Sequence, residues 1–195
     1  MPACKSRKMH SSARNAFKAV NDGAIARINF ESRKIEFIKK DYPKTNGKEL
    51  IFKPEMEEKV ALLKVHPNMV PEQISIYEKL GFKGLVIEGT GLGHMPANSE
   101  ENKANLEALK SLIDSGCIVV MASQCINGRV QMHVYTNLRK LLGVGVIPGE
   151  DMTGETAFIK LAWLLGNYSA EEAKELIGKN LRGEILECTK AINLF

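Results

Sequence analysis

The chain is poor in the features that mark several large protein classes. Its four cysteines, Cys4, Cys117, Cys125 and Cys188, form no C-x-x-C pair. Cys117 heads an apolar run and reads as core. No apolar run approaches the roughly 18 residues needed to span a bilayer, and no secretory leader opens the sequence. These absences predict a cytoplasmic, reduced protein without a membrane span. His10, His66, His94 and His133 lie far apart and share no ligand spacing, so no metal site is predicted. No G-x-x-x-x-G-K-[ST] loop occurs, which argues against independent nucleotide hydrolysis. Charge of one sign is never concentrated. The net charge is +4, and basic residues such as Lys5, Arg7, Lys8 and Arg14, or Arg33 and Lys34, are scattered without a long run. A solvated surface accounts for them, and nucleic-acid contact is permitted without being demanded.

What the sequence does hold is ordinary globular material. Its 195 residues are 44% hydrophobic and 26% charged, enough for a real core in one generous domain or one domain plus part of another. The first 45 residues differ in texture from the rest. Ser11 to Val20 offers a serine cap and apolar residues at Ala13, Ala16, Phe17 and Val20, predicting a short helix stopped by Asn21-Asp22-Gly23. Ile25 to Phe30 and Ile35 to Ile38 alternate about a Glu31-Ser32-Arg33-Lys34 turn, predicting a hairpin. Asp41 to Leu50 reads as a linker.

From about residue 55 the pattern becomes regular. Strands are predicted at Val60–Val65, Leu85–Ile87 and Ile118–Met121, with a further short apolar run at Val144–Ile147. Helices are predicted after Pro71 up to Gly81, over Asn102–Ser115, and near Tyr135–Leu142, Glu155–Leu165 and Ala170–Ile177. Strand–helix alternation of this kind implies right-handed crossovers and a parallel sheet, hence a three-layer α/β domain.

Lys83 to Met95, K-G-L-V-I-E-G-T-G-L-G-H-M, is the most informative segment. An apolar strand meets Glu88 and empties into a loop with Gly89, Gly91 and Gly93, which can take positive φ and approach a ligand or a neighbouring chain. In open α/β sheets that end of a strand is where sites are built. The dinucleotide fingerprint fails here, because its third glycine falls at His94 and the next strand ends in Met121-Ala122-Ser123 with no acidic residue. Ser123-Gln124-Cys125 offers a nucleophile or a substrate-amide contact, against a structural cysteine. Glu150-Asp151 precedes a helix and suits capping, against a chemical role. Lys8, beside hydroxyls in R-K-M-H-S-S and just before the expected helix, offers a base or proton relay, against a plain basic terminus.

Four segments in series carry a resemblance: R-K-M-H-S-S-A-R-N-A-F at 7–17, E-G-T-G-L-G-H at 88–94, S-Q-C-I-N-G-R-V at 123–130 and G-E-D-M-T-G-E-T-A at 149–157. Together they resemble the asparaginase-type D subunit of archaeal Glu-tRNA(Gln) amidotransferase, over nearly the whole chain. The resemblance implies an enzyme that releases ammonia from glutamine or asparagine. The ammonia passes to a partner E subunit, which uses ATP and Mg to convert Glu-tRNA(Gln) to Gln-tRNA(Gln); this chain itself needs no cofactor. It implies a homodimer of the D subunit and contact with Glu-tRNA(Gln) through the complex. The fold implied is the smaller C-terminal α/β domain of the asparaginase type over 46–195, preceded over 1–45 by a helix and hairpin from the larger domain. Lys8 matches the family's relay lysine. Gly89, Thr90, Gly91, Gly93 and His94 match a loop that reaches a neighbouring subunit's active site, where bacterial members place an asparagine at the position of His94.

The sequence also departs from that pattern. The family's nucleophilic threonine lies in a T-G-G-T-like loop and its Thr-Asp relay pair in a G-T-D-T-like segment, and neither occurs in the 195 residues. The expectation is therefore a chain that begins just before the relay lysine and is inactive alone. A free-standing α/β module that binds a partner protein or tRNA, and a small L-asparaginase, are the alternatives.

Overall fold

The computed structural model describes residues 3–42, 44, 47 and 49–189. The chain opens with two short antiparallel ribbons, β1 (Ser6–Lys8) with β2 (Phe17–Ala19), and β3 (Ala26–Ile28) with β4 (Ile35–Phe37). The second ribbon is the hairpin the alternation predicts, in register Ala26 opposite Phe37 and Ile28 opposite Ile35.

The predicted helix over Ser11–Val20 is not formed. Met9 N–H instead donates to Ala16 C=O, and Val20 N–H to Lys5 C=O, closing β1 on β2. The His10 imidazole Nδ1 accepts from the amides of Ser12 and Ala13 at 3.1 Å each, taking in Ala13 a donor that a cap at Ser11 would have used. Helical spacing would also have buried Phe17 beside Ala16 and Val20, yet Phe17 is 54% exposed while those two are buried. A ten-residue helix is marginal in isolation, so tertiary contacts decide the conformation. Part of the expected linker, residues 43, 45, 46 and 48, lies outside the described residues.

Beyond it stands a four-stranded parallel sheet of β5 (Val60–Lys64), β6 (Gly84–Gly89), β7 (Ile118–Ser123) and β8 (Ile147–Pro148), in that spatial order. Helices α1 (Glu72–Lys79), α2 (Lys103–Asp114) and α3 (Thr136–Gly143) cover one face. There Ile74, Leu109, Leu112, Leu138 and Leu141 pack on Leu85, Ile87, Val119 and Met121. Helices α4 (Gly154–Asn167) and α5 (Ala170–Ile177) cover the other, where Ala157, Leu161, Leu164, Ala173 and Ile177 meet Val86, Val120 and Ala122. Successive residues of β6 thus enter opposite cores and the whole strand is buried, which is why Leu85-Val86-Ile87 reads as an unbroken apolar run. The three layers are those the alternation implies, with boundaries within three residues of the predicted ones.

Two of the helices begin at side-chain caps. Ser169 and Glu172 form a reciprocal capping box at α5, and Thr153 Oγ1 accepts from Thr156 N–H at the head of α4. The last stretch before β5 is strapped to α4: Trp163 Nε1 donates to Lys53 C=O at 2.8 Å and Asn167 Nδ2 to Glu55 C=O at 2.7 Å. No helix among the described residues is long and apolar enough to cross a membrane.

Candidate functional site at the strand ends

Loops from the carboxyl ends of β6, β7 and β8 carry three of the motifs, and the first reaches the last through Arg7, 3.5 Å from Glu155. The Gly89–His94 turn closes on itself, with Thr90 N–H donating to His94 C=O and His94 N–H to Thr90 C=O, both at 2.9 Å. Gly93 adopts φ +108, and a β-carbon there would lie 2.9 Å from Met121 Cγ. One on Gly89 would lie 2.7 Å from the Gly93 carbonyl carbon and 2.8 Å from Met121 Sδ. The close approach that these glycines permit is thus to the chain's own β7. The His94 ring is half-buried and tilts against Tyr135, centroids 5.3 Å apart.

Ser123-Gln124-Cys125 serves this turn as scaffold. Ser123 Oγ donates to Gly91 C=O at 2.6 Å, Gln124 N–H donates to Gly89 C=O at 2.8 Å, and Gln131 N–H donates to Leu92 C=O at 3.0 Å. The Gln124 amide also donates to Val65 C=O at 2.6 Å and Glu88 C=O at 2.8 Å, tying the ends of β5 and β6 together. Ser123 also accepts from Cys125 N–H at 3.0 Å. The serine is therefore committed, and among the described residues the cysteine has no base in hydrogen-bond reach.

The Glu150-Asp151 pair is ionic rather than capping. Glu150 sits at φ +58 and pairs with Arg129 at 3.0 Å. Asp151 pairs with Lys5 at 2.7 Å, with side-chain exposures of 0% and 2%, and its second oxygen accepts from Leu186 N–H at 2.9 Å. The capping expectation fails because Thr153, two residues on, takes that place. A buried carboxylate paired this way holds two chain segments together at a fixed distance.

Asn21 completes the junction. It is buried at φ +59, and its Nδ2 donates to Gly128 C=O at 2.8 Å and to Asp151 C=O at 3.1 Å, while its Oδ1 accepts from Gly128 N–H at 2.7 Å. One side chain therefore joins the first ribbon, the 123–130 loop and the 149–157 loop. Neither Lys5 nor Asn21 is marked by sequence reasoning. Asn21 looks like a helix stop, and only its left-handed backbone, which asparagine tolerates, hints at more.

Lys8 ends β1 and is exposed, its ammonium 6.0 Å from the centroid of Phe17. Since no helix follows, the helix end expected beside it does not exist. No hydrogen bond or ion pair joins Lys8 to Gly89–His94 among the described residues. Nor is a threonine hydroxyl free beside it. Thr90 is turned to His94 C=O, Thr153 to Thr156, and Thr156 to Cys4 C=O at 2.9 Å. Among the described residues the arrangement offers a projecting amine and a braced strand-end loop, and no activated nucleophile.

Comparison with known proteins decides the family. The Glutaminase/Asparaginase C-terminal domain family matches residues 59–177, the sheet and its five helices. The chain belongs to that family. The D subunit of glutamyl-tRNA(Gln) amidotransferase from Methanococcus maripaludis is 46% identical over 192 residues, covering 97% of this chain and 44% of that protein. Its counterpart in Pyrococcus furiosus is 47% identical over 187 residues, covering 95% and 41%. The chain thus spans less than half the length of these curated relatives. Among solved structures, the thermostable L-asparaginase from Thermococcus kodakarensis superposes with a TM-score of 0.82 at 30% identity, covering 95% of this chain and 54% of that one. L-asparaginase I from Vibrio cholerae gives 0.80 at 29%, covering 94% and 54%. With 97% of the chain matched in the Methanococcus maripaludis relative, the likeness takes in the Lys8 hairpin as well as the sheet domain.

Proposed function

We propose that these residues are the relay-lysine hairpin and supporting lobe of a Glu-tRNA(Gln) amidotransferase D subunit, an asparaginase-type amidohydrolase that frees ammonia from glutamine or asparagine. The observation that carries this is the meeting of three motifs at the carboxyl end of one parallel sheet, with the first tied to the fourth by Arg7 and Glu155, 3.5 Å apart. Lys8 is assigned as the proton acceptor for an attacking threonine hydroxyl that lies outside these residues; a neutral lysine beside such a hydroxyl raises its nucleophilicity. Residues 1–45 are read as the tail of a larger domain and 46–195 as the smaller one. Gly89 to His94 is read as the contact with the site of a second copy. The partner E subunit would take the ammonia and spend ATP with Mg on Glu-tRNA(Gln), in the cytoplasm; the chain itself would hold no cofactor.

The purified chain is expected to release no ammonia from glutamine or asparagine above buffer. Mixing it with a polypeptide bearing the T-G-G-T and G-T-D-T loops of such an amidotransferase should restore release, and Lys8→Met in the mixture should remove it. Ammonia release by the chain alone would overturn the assignment of the nucleophile; full activity of the Lys8→Met mixture would overturn the relay. One observation favours a second reading, a non-catalytic interaction module. Ile28, Phe30, Ile35 and Phe37 on the second ribbon are 58–78% exposed, a contiguous apolar face of the kind that binds a partner. Reconstitution separates the two, since a module of that kind would bind without restoring ammonia release.

A further inference from the structure

We propose that Asp151 and Asn21 are positioning residues for Lys8, an inference that rests on the relay role assigned to that lysine. Among the described residues Lys8 has no hydrogen-bond or ion-pair partner; its place is set by the β1–β2 ribbon. Two three-residue strands are marginally stable alone, so the ribbon must be located by something outside it. Both of its strands are anchored at their base to one residue. Lys5, immediately before β1, pairs its ammonium with the Asp151 carboxylate at 2.7 Å. Asn21, two residues beyond β2, donates its amide to the Asp151 carbonyl at 3.1 Å. Side chain and main chain of Asp151 thus hold the two legs of the same hairpin, and Val20 N–H to Lys5 C=O at 2.7 Å ties the legs to each other.

From that base the ribbon runs along the head of α4. Thr156 Oγ1 donates to Cys4 C=O at 2.9 Å, and Arg7 approaches Glu155 at 3.5 Å. Lys8 lies three residues beyond Lys5, about 10 Å of extended chain. A displacement at the base is carried to the amine by a lever of that length, and a relay amine misplaced by about 1 Å loses much of its effect. The loop that begins at the end of β8 would therefore tune the site without touching substrate.

Two variants test this in the 195-residue chain. Asn21→Gly keeps the left-handed backbone and removes only the amide, and Asp151→Asn removes the charge that holds Lys5. Amide hydrogen exchange at Met9 and Val20 reports the ribbon, and acetylation of Lys8 relative to Lys34, followed by mass spectrometry, reports the amine. Both variants are expected to speed exchange at Met9 and Val20 about tenfold or more. Amides of β6 and β7 should stay within about twofold, and the Lys8 to Lys34 acetylation ratio should change at least about twofold. Lys8→Met should leave both ribbon amides unchanged, because Lys8 is positioned and does not position. Unchanged exchange at Met9 and Val20 overturns the proposal. So does a parallel rise throughout the sheet, which would make the anchor merely structural. Failure of the relay itself appears elsewhere, as undiminished ammonia release by the reconstituted Lys8→Met protein.

Discussion

Replacing Glu184 with glutamine should destabilise the protein more than replacing Lys160 with methionine. The two form an ion pair at 2.7 Å, with side-chain exposures of 4% and 7%. Glu184 also accepts from Leu181 N–H at 2.9 Å and Arg182 N–H at 2.6 Å, so its charge keeps two donors if the lysine goes. Lys160 has only a carbonyl, that of Lys179, as a further partner among the described residues. Glu184→Gln strands a buried ammonium and is expected to cost about 3–5 kcal/mol. Lys160→Met trades a desolvated cation for an apolar chain of similar length and should cost about 1 kcal/mol. For a domain of this size the difference corresponds to a gap in Tm of roughly 4–16 °C.

The same pair sets a pH signature. Burial pushes the Glu184 carboxyl up, but Lys160 and the backbone amides outweigh it and hold the group below its ordinary value of 4.5. A folded-state value below the unfolded one means stability fully present above the ordinary value and lost as pH falls through the folded one. Burial pushes the Lys160 ammonium below its ordinary value of 10.5, against the pull of Glu184. That group penalises the fold at neutral pH, and the penalty fades as pH rises through its folded value. Urea unfolding from pH 3 to 11 reads both limbs. Glu184→Gln should flatten the acid limb; a Lys160→Met variant less stable than Glu184→Gln at pH 7 would refute the reasoning.

Two further outcomes are expected. A β-carbon on Gly154 would collide with Glu88 Oε1 and lie 2.8 Å from its carboxyl carbon, so Gly154→Ala should cost about 1–3 kcal/mol by thermal melting, partly recovered by adding Glu88→Ala. Burial pushes the Cys117 thiol up to about 12, whereas Cys125 and Cys188 are exposed. Titration with a disulfide reagent at pH 8 should find those two promptly and Cys117 only after denaturation.

Much of the frame was legible in the residues. Leu85-Val86-Ile87 and Ile118 to Met121 announce buried parallel strands because both faces of such strands need apolar side chains. Pro71 and Gly81 mark helix ends through local chemistry that does not depend on the fold. The four motifs, being short and contiguous, could be recognised before anything was known of where they lie. What the residues misreported was Ser11 to Val20, where helical spacing and a serine cap were real but weak signals. A pair of three-residue strands prevailed because the bonds that anchor it come from residues 127, 128 and 151, invisible to any local pattern.

Sequence alone therefore determined the layers, the strand-end loop and the family likeness, since periodicity, caps and motifs are properties of neighbours along the chain. Tertiary structure alone decided that Ser123 and Gln124 brace the glycine turn, that Asp151 grips Lys5, and that Asn21 bolts the first ribbon to two loops. Those pairings join residues 32 to 146 positions apart. They exist only once the fold has brought distant segments side by side, which no window of sequence can foretell.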